Sequence, residues 1–139
     1  GTINSSPSSA AVGGILGASF AGLTVSNSSV DATFNAYGFV GGLAGQSVAP
    51  STFGSTTIKG TINNNSTEDP MSTGGIFGYV GANVTISSLV ESSVTMNSID
   101  YVGGFAGIKA GASFTGENNM RFTGTINSTG SNVSTTYGA

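Results

Sequence analysis

The sequence predicts an all-β protein, a right-handed and mainly parallel β-solenoid of about four to five coils with about 30 residues in each. Three observations lead there. A five-residue glycine box recurs at solenoid-sized intervals, a Thr-apolar-Asn triplet follows each box at a nearly fixed distance, and the residues between them alternate with a period of two.

The boxes are Gly13-Gly14-Ile15-Leu16-Gly17, Gly41-Gly42-Leu43-Ala44-Gly45, Gly74-Gly75-Ile76-Phe77-Gly78 and Gly103-Gly104-Phe105-Ala106-Gly107, spaced by 28, 33 and 29 residues. The triplets are Thr2-Ile3-Asn4, Thr33-Phe34-Asn35, Thr61-Ile62-Asn63, Thr95-Met96-Asn97 and Thr125-Ile126-Asn127. From the first glycine of a box to the next triplet Asn the distance is 22, 22, 23 and 24 residues, whereas the return from Asn to box takes 9, 6, 11 and 6. One part of the repeat is therefore nearly fixed, and the other is a loop alternating between long and short. Gly1-Thr2-Ile3-Asn4 recurs at Gly60 and Gly124, which makes a two-coil unit of about 60 residues. The chain divides into units 1–59, 60–123 and a partial 124–139, and is expected to be a single solenoid segment of a longer repeat protein.

Before each triplet, Val30, Ala32 and Phe34 alternate with Asp31, Thr33 and Asn35. Ile58, Gly60 and Ile62 do the same, as do Val90, Ser92, Val94 and Met96, and Met120, Phe122, Gly124 and Ile126. Strict alternation predicts strands buried on one face. A second strand per coil is expected around Leu23-Thr24-Val25, Phe53, Val84-Thr85-Ile86 and Phe114, and the box itself is read as a third. With the box as a strand, Ile15, Leu43, Ile76 and Phe105 point one way, while Val12, Leu16, Val40, Ala44, Phe77, Val102 and Ala106 point the other. That second set is too apolar for solvent, so either the long loops fold over it or it is a lateral assembly surface. Right-handedness follows only from the general preference of parallel crossovers.

Composition narrows the function classes. Ser, Thr, Asn and Gly make up 74 of the 139 residues, yet 37% are hydrophobic and placed periodically, which argues against disorder. Lys59, Lys109 and Arg121 are the three basic residues and the net charge is −3, so no basic patch for nucleic acid or an anionic membrane can form. The longest apolar run, from Ala10 to Leu23, is broken by four glycines and too short to span a bilayer. With no Cys and no His, disulfides, soft-metal sites and His-based nucleophilic triads are excluded.

Four copies of the box resemble the GLUG motif, a Gly-Gly-Leu-x-Gly repeat of bacterial and protist surface proteins; Gly41-Gly42-Leu43-Ala44-Gly45 comes nearest, and the other boxes replace Leu with Ile or Phe. The resemblance implies a surface-exposed β-solenoid stalk or adhesin. It supplies no catalytic residue.

The remaining residues support that direction. No catalytic, cofactor or metal set emerges; Glu68-Asp69 before Pro70 could hold a hard cation, but two carboxylates in a loop fit a solvated turn better. Asp31, Lys59, Glu91 and Arg121 lie 18, 18, 17 and 18 residues after their boxes, which predicts an alternating charge ladder along the axis that sets register. Seven sequons, at Asn4, Asn27, Asn64, Asn65, Asn83, Asn127 and Asn132, are glycosylation candidates. Asn35 and Asn63 are expected to act structurally at strand ends. Tyr37, Tyr79, Tyr101 and Tyr137 are scattered and form no aromatic platform. The expected function is a structural or adhesive segment of an extracellular fibre, stalk or cell-surface protein, self-associating and in contact with glycans. The alternatives are an ice-binding solenoid that uses the Thr column and, less favoured, a polysaccharide-processing β-helix enzyme.

Overall fold

The computed structural model describes residues 1–8, 10–67, 71–99 and 101–130. They form a parallel β-solenoid of about four turns, successive turns lying about 30 residues apart. Among the described residues the helical content is one short 3-10 turn, Glu117–Asn119. Each coil passes through four parallel sheets, one with seven strands and three with four.

The first sheet holds the predicted alternating segments: Thr2–Asn4, Ser28–Ala36, Thr56–Asn64, Val90–Ser92 with Thr95–Ser98, and Met120–Phe122 with Thr125–Ser128. Its register joins the triplets one on one. Thr2, Ile3 and Asn4 pair with Thr33, Phe34 and Asn35, these with Thr61, Ile62 and Asn63, and so on through Thr125, Ile126 and Asn127. Alternation does the rest, because a one-residue slip would turn Phe34, Ile62 and Met96, all at 0% exposure, out to water.

The box is a corner, not a strand. Ala11–Gly13 belongs to the second sheet and Leu16–Ser19 to the third, with a bend at Gly14 and Ile15 between them. The bend resets the alternation, so both apolar residues of a box face the core. Leu43, Ala44, Ile76 and Phe77 are all fully buried, and Val12, Val40, Val102 and Ala106 are buried with them. The apolar outer face expected from the sequence therefore does not exist on these coils, and neither covering loops nor a lateral partner is required there. Each corner also hydrogen-bonds to the next: Ile15 N donates to Leu43 O at 3.0 Å, and Leu43 N to Ile76 O at 2.9 Å.

Space, rather than dihedral angle, demands the box glycines. A Cβ on Gly41 would lie 2.0 Å from Ala44 O of its own corner. On Gly42 it would meet Gly75 O of the next coil at 2.4 Å and Ile58 from the first sheet at 2.7 Å. On Gly45 it would meet Val12 N of the preceding coil at 2.4 Å. The second glycine thus lets the first sheet close onto the corner, the close approach that glycine in a strand pattern signals.

Thr24–Val25, Ser51–Phe53, Val84–Ile86 and Phe114–Thr115 form the fourth sheet, the second strand predicted per coil. Phe53 and Phe114 from it flank Phe77 of the third sheet, with ring centroids 5.1 and 5.9 Å from the Phe77 ring.

Candidate functional site: the outer face of the first sheet

Because inward positions are filled by the core, chemistry on this molecule is confined to outward columns and loops. The outer face of the first sheet carries two uninterrupted columns, Thr2, Thr33, Thr61, Thr95 and Thr125 beside Asn4, Asn35, Asn63, Asn97 and Asn127. Strands stack at about 4.8 Å, and at that spacing adjacent Asn amides reach one another. Nδ2 of Asn35, Asn63, Asn97 and Asn127 each donates to Oδ1 of the Asn in the preceding coil, at 3.0, 3.0, 2.8 and 3.0 Å. All four bonds run the same way. Two of the rungs, Asn4 and Asn127, are sequons, so their amides belong first to a ladder.

Asn64, one residue further, points inward and is only 4% exposed. Its Nδ2 donates to Gly38 O at 2.9 Å and Thr73 Oγ1 at 3.0 Å, while its Oδ1 accepts from Ser66 N at 3.2 Å. The nitrogen that a glycan would occupy is thus buried and engaged, which removes Asn64 from the accessible sequons. The network continues through Ser66 Oγ, which accepts from Gly38 N, and Ser98 Oγ, which accepts from Thr73 Oγ1. It fastens the long loop that leaves this strand. Asn27, Asn65 and Asn83 are exposed, and Asn83 uses its Oδ1 to accept from Ser113 N and Oγ. Asn132, Glu68, Asp69 and Asp100 lie outside the described residues.

The charge ladder is two separate pairs. Asp31 stands opposite Lys59 and Glu91 opposite Arg121, but Glu91 faces Thr57, two residues from Lys59. Distance from the box is a poor ruler here, because the Asn ladder fixes the register. Asp31 and Lys59 precede their ladder Asn by four residues, Glu91 and Arg121 by six. Arg121 Nη1 reaches Glu91 Oε2 at 3.4 Å on an exposed surface, where such a pair contributes about 0.2–1 kcal/mol.

A further column was not anticipated. Thr24, Thr52, Thr85 and Thr115 stand in register on the outer face of the fourth sheet. The signal was present as a Thr between apolar residues at Thr24 and Thr85, but Ser51 and Gly116 vary the pattern in the other coils.

Among the described residues no group of three or more acidic side chains could hold a metal ion, and no helix is long and apolar enough to cross a membrane. Compared with family models, curated proteins and solved structures, the chain matches none.

Proposed function

We propose that this solenoid is a structural and adhesive segment of an extracellular fibre, stalk or surface protein of the GLUG-repeat kind, built to stack against coils like its own. One observation carries the reading. In the column of the first apolar box residue, Leu43 and Ile76 are at 0% exposure, whereas Ile15 in the first coil is at 36%. At that end Ile3, Leu16, Leu23 and Val25 are also only partly buried. An edge strand with free backbone groups and a half-covered core is a template for another strand. The ladder supports the same reading, since its direction leaves an amide N–H of Asn4 and a carbonyl oxygen of Asn127 facing opposite ways along the axis. Coils stacked through unlike faces in this way do not close on themselves, so each further coil extends the rod. Sugar on such a surface would sit on Asn27, Asn65 and Asn83, the exposed sequons outside the ladder.

Sedimentation and electron microscopy of the purified chain test this. Rods whose length grows with concentration, and which Ile15→Lys shortens to single units, are expected. Discrete compact particles at every concentration would refute it.

Ice binding is the second reading, favoured by the two Thr columns on the first and fourth sheets. It requires thermal hysteresis that collapses when Thr61 and Thr95, or Thr52 and Thr85, become bulky.

A further inference from the structure

A groove of about 470 Å³ runs beside the Asn ladder, with Asn35, Asn63, Asn97 and Asn127 along one wall and Asn65 and Ile99 among its other lining residues. A second recess of about 220 Å³ is lined by Pro7, Tyr37 and Thr67 and shares Asn65 with the first. Together they make a trough along the ladder, with the half-buried ring of Tyr37 near one end.

A primary amide has two N–H donors and two acceptor lone pairs. Each interior rung, at Asn35, Asn63 and Asn97, spends one of each on the ladder. One donor and one acceptor per rung remain, repeated at the strand spacing of about 4.8 Å. A hydroxyl group donates and accepts at once, so a donor beside an acceptor suits it better than it suits a carboxylate or an ammonium group. Among the described residues none that lines either recess is charged, so the described lining offers an anionic polymer no cation to pair with. A peptide adding as a strand needs a free sheet edge, whereas the strands Ser28–Ala36 and Thr56–Asn64 are paired on both sides. The Tyr37 ring offers an apolar face with a polar tip, the kind of surface on which the C–H face of a sugar ring packs.

We propose that this trough binds a linear, uncharged polysaccharide lying parallel to the solenoid axis. The proposal rests on the adhesive reading above and specifies its ligand. It also assigns Asn65 to the binding surface, so a glycan on Asn65 would compete with the ligand.

The test uses the full chain without sugar on Asn65, mixed with insoluble cellulose, xylan or β-glucan and, separately, with calcium alginate gel. Depletion from the supernatant is measured. Retention on at least one neutral polymer is expected, unchanged at about 0.5 M NaCl, where charge contacts are screened, with none on alginate. The double variant Asn65→Arg/Ile99→Arg should weaken retention by about tenfold or more with the melting temperature unchanged. If that variant melts early, Thr129→Arg at an exposed groove position replaces it. Failure of every neutral polymer, equal retention of the blocked variant, or retention lost with salt would each overturn the proposal. Sedimentation of the same samples keeps the two readings apart: rods that ignore polysaccharide sink only the trough, and single units that bind it sink only the fibre.

Discussion

The middle of this molecule and its first coil carry the same motif and differ in what it is worth. Ile76 is sealed between the boxes of two neighbouring coils, while Ile15, written into the same place, is more than a third exposed. A Cβ on Gly78 would meet Gly45 O at 2.6 Å and Val40 N at 2.7 Å of the preceding coil, while one on Gly17 would meet nothing closer than Ala11 O at 3.4 Å. The contrast teaches that a coil does not bury its own core. Burial is a property of the interface between coils, as expected when stability is a sum of nearest-neighbour terms.

Paired substitutions sharpen or break this contrast. The largest difference is expected between Ile76→Ala and Ile15→Ala. A fully buried Ile costs about 2–5 kcal/mol when cut to Ala, whereas the end position should lose only about 1 kcal/mol in keeping with its partial exposure. Urea unfolding curves of the two variants measure it, and equal losses would mean that the first coil is covered in solution. Next comes Gly78→Ala against Gly17→Ala. Overpacking between backbones should cost about 3 kcal/mol in the middle and leave the end within about 0.5 kcal/mol. A well-folded, undiminished Gly78→Ala would show that the coils can part to admit a methyl group.

Asn64→Ala should cost about 2 kcal/mol, because it strands Ser66 N in the interior and removes the bonds to Gly38 O and Thr73 Oγ1, while Asn65→Ala beside it should be neutral. Thermal melts of both decide whether the buried network or the sequon pattern governs this pair. The smallest contrast is within the ladder. Asn63 takes part in two ladder bonds and Asn127 in one, so replacement by Ala should cost about 1 and about 0.5 kcal/mol respectively. Equal effects would indicate that the rungs add nothing to one another.

Much of the fold was legible because the triplets are strict. Thr-apolar-Asn alternates with the strand period and recurs in every coil, so the first sheet, its inward residues and its register could be read before any coordinates. The box was harder. Its five residues alternate plausibly as a strand, but a bend at Gly14-Ile15 changes the phase, and two glycines in succession are as much a corner signal as a strand signal. The charge column failed for a related reason: Glu91 lies one residue nearer its box than Lys59 does, and the third box is one residue further from its triplet, so Glu91 stands two places away from Lys59. Asn63, Asn64 and Asn65 look alike in sequence, yet alternation alone places the middle one inside, a deduction that the sequon pattern obscured. The trough was not legible, since its far wall comes from the residues after Asn4 and Asn64, whose path no periodicity dictates.

The stacked boxes have a consequence for how such a protein can change. Every coil presents one glycine corner and one Thr-apolar-Asn strand to the neighbour on either side, so the surface it offers above is nearly the surface it receives from below. A duplication or loss of one two-coil unit in the encoding gene would therefore create no unfamiliar junction. The length of the rod can drift freely across generations while the sequence of each corner cannot.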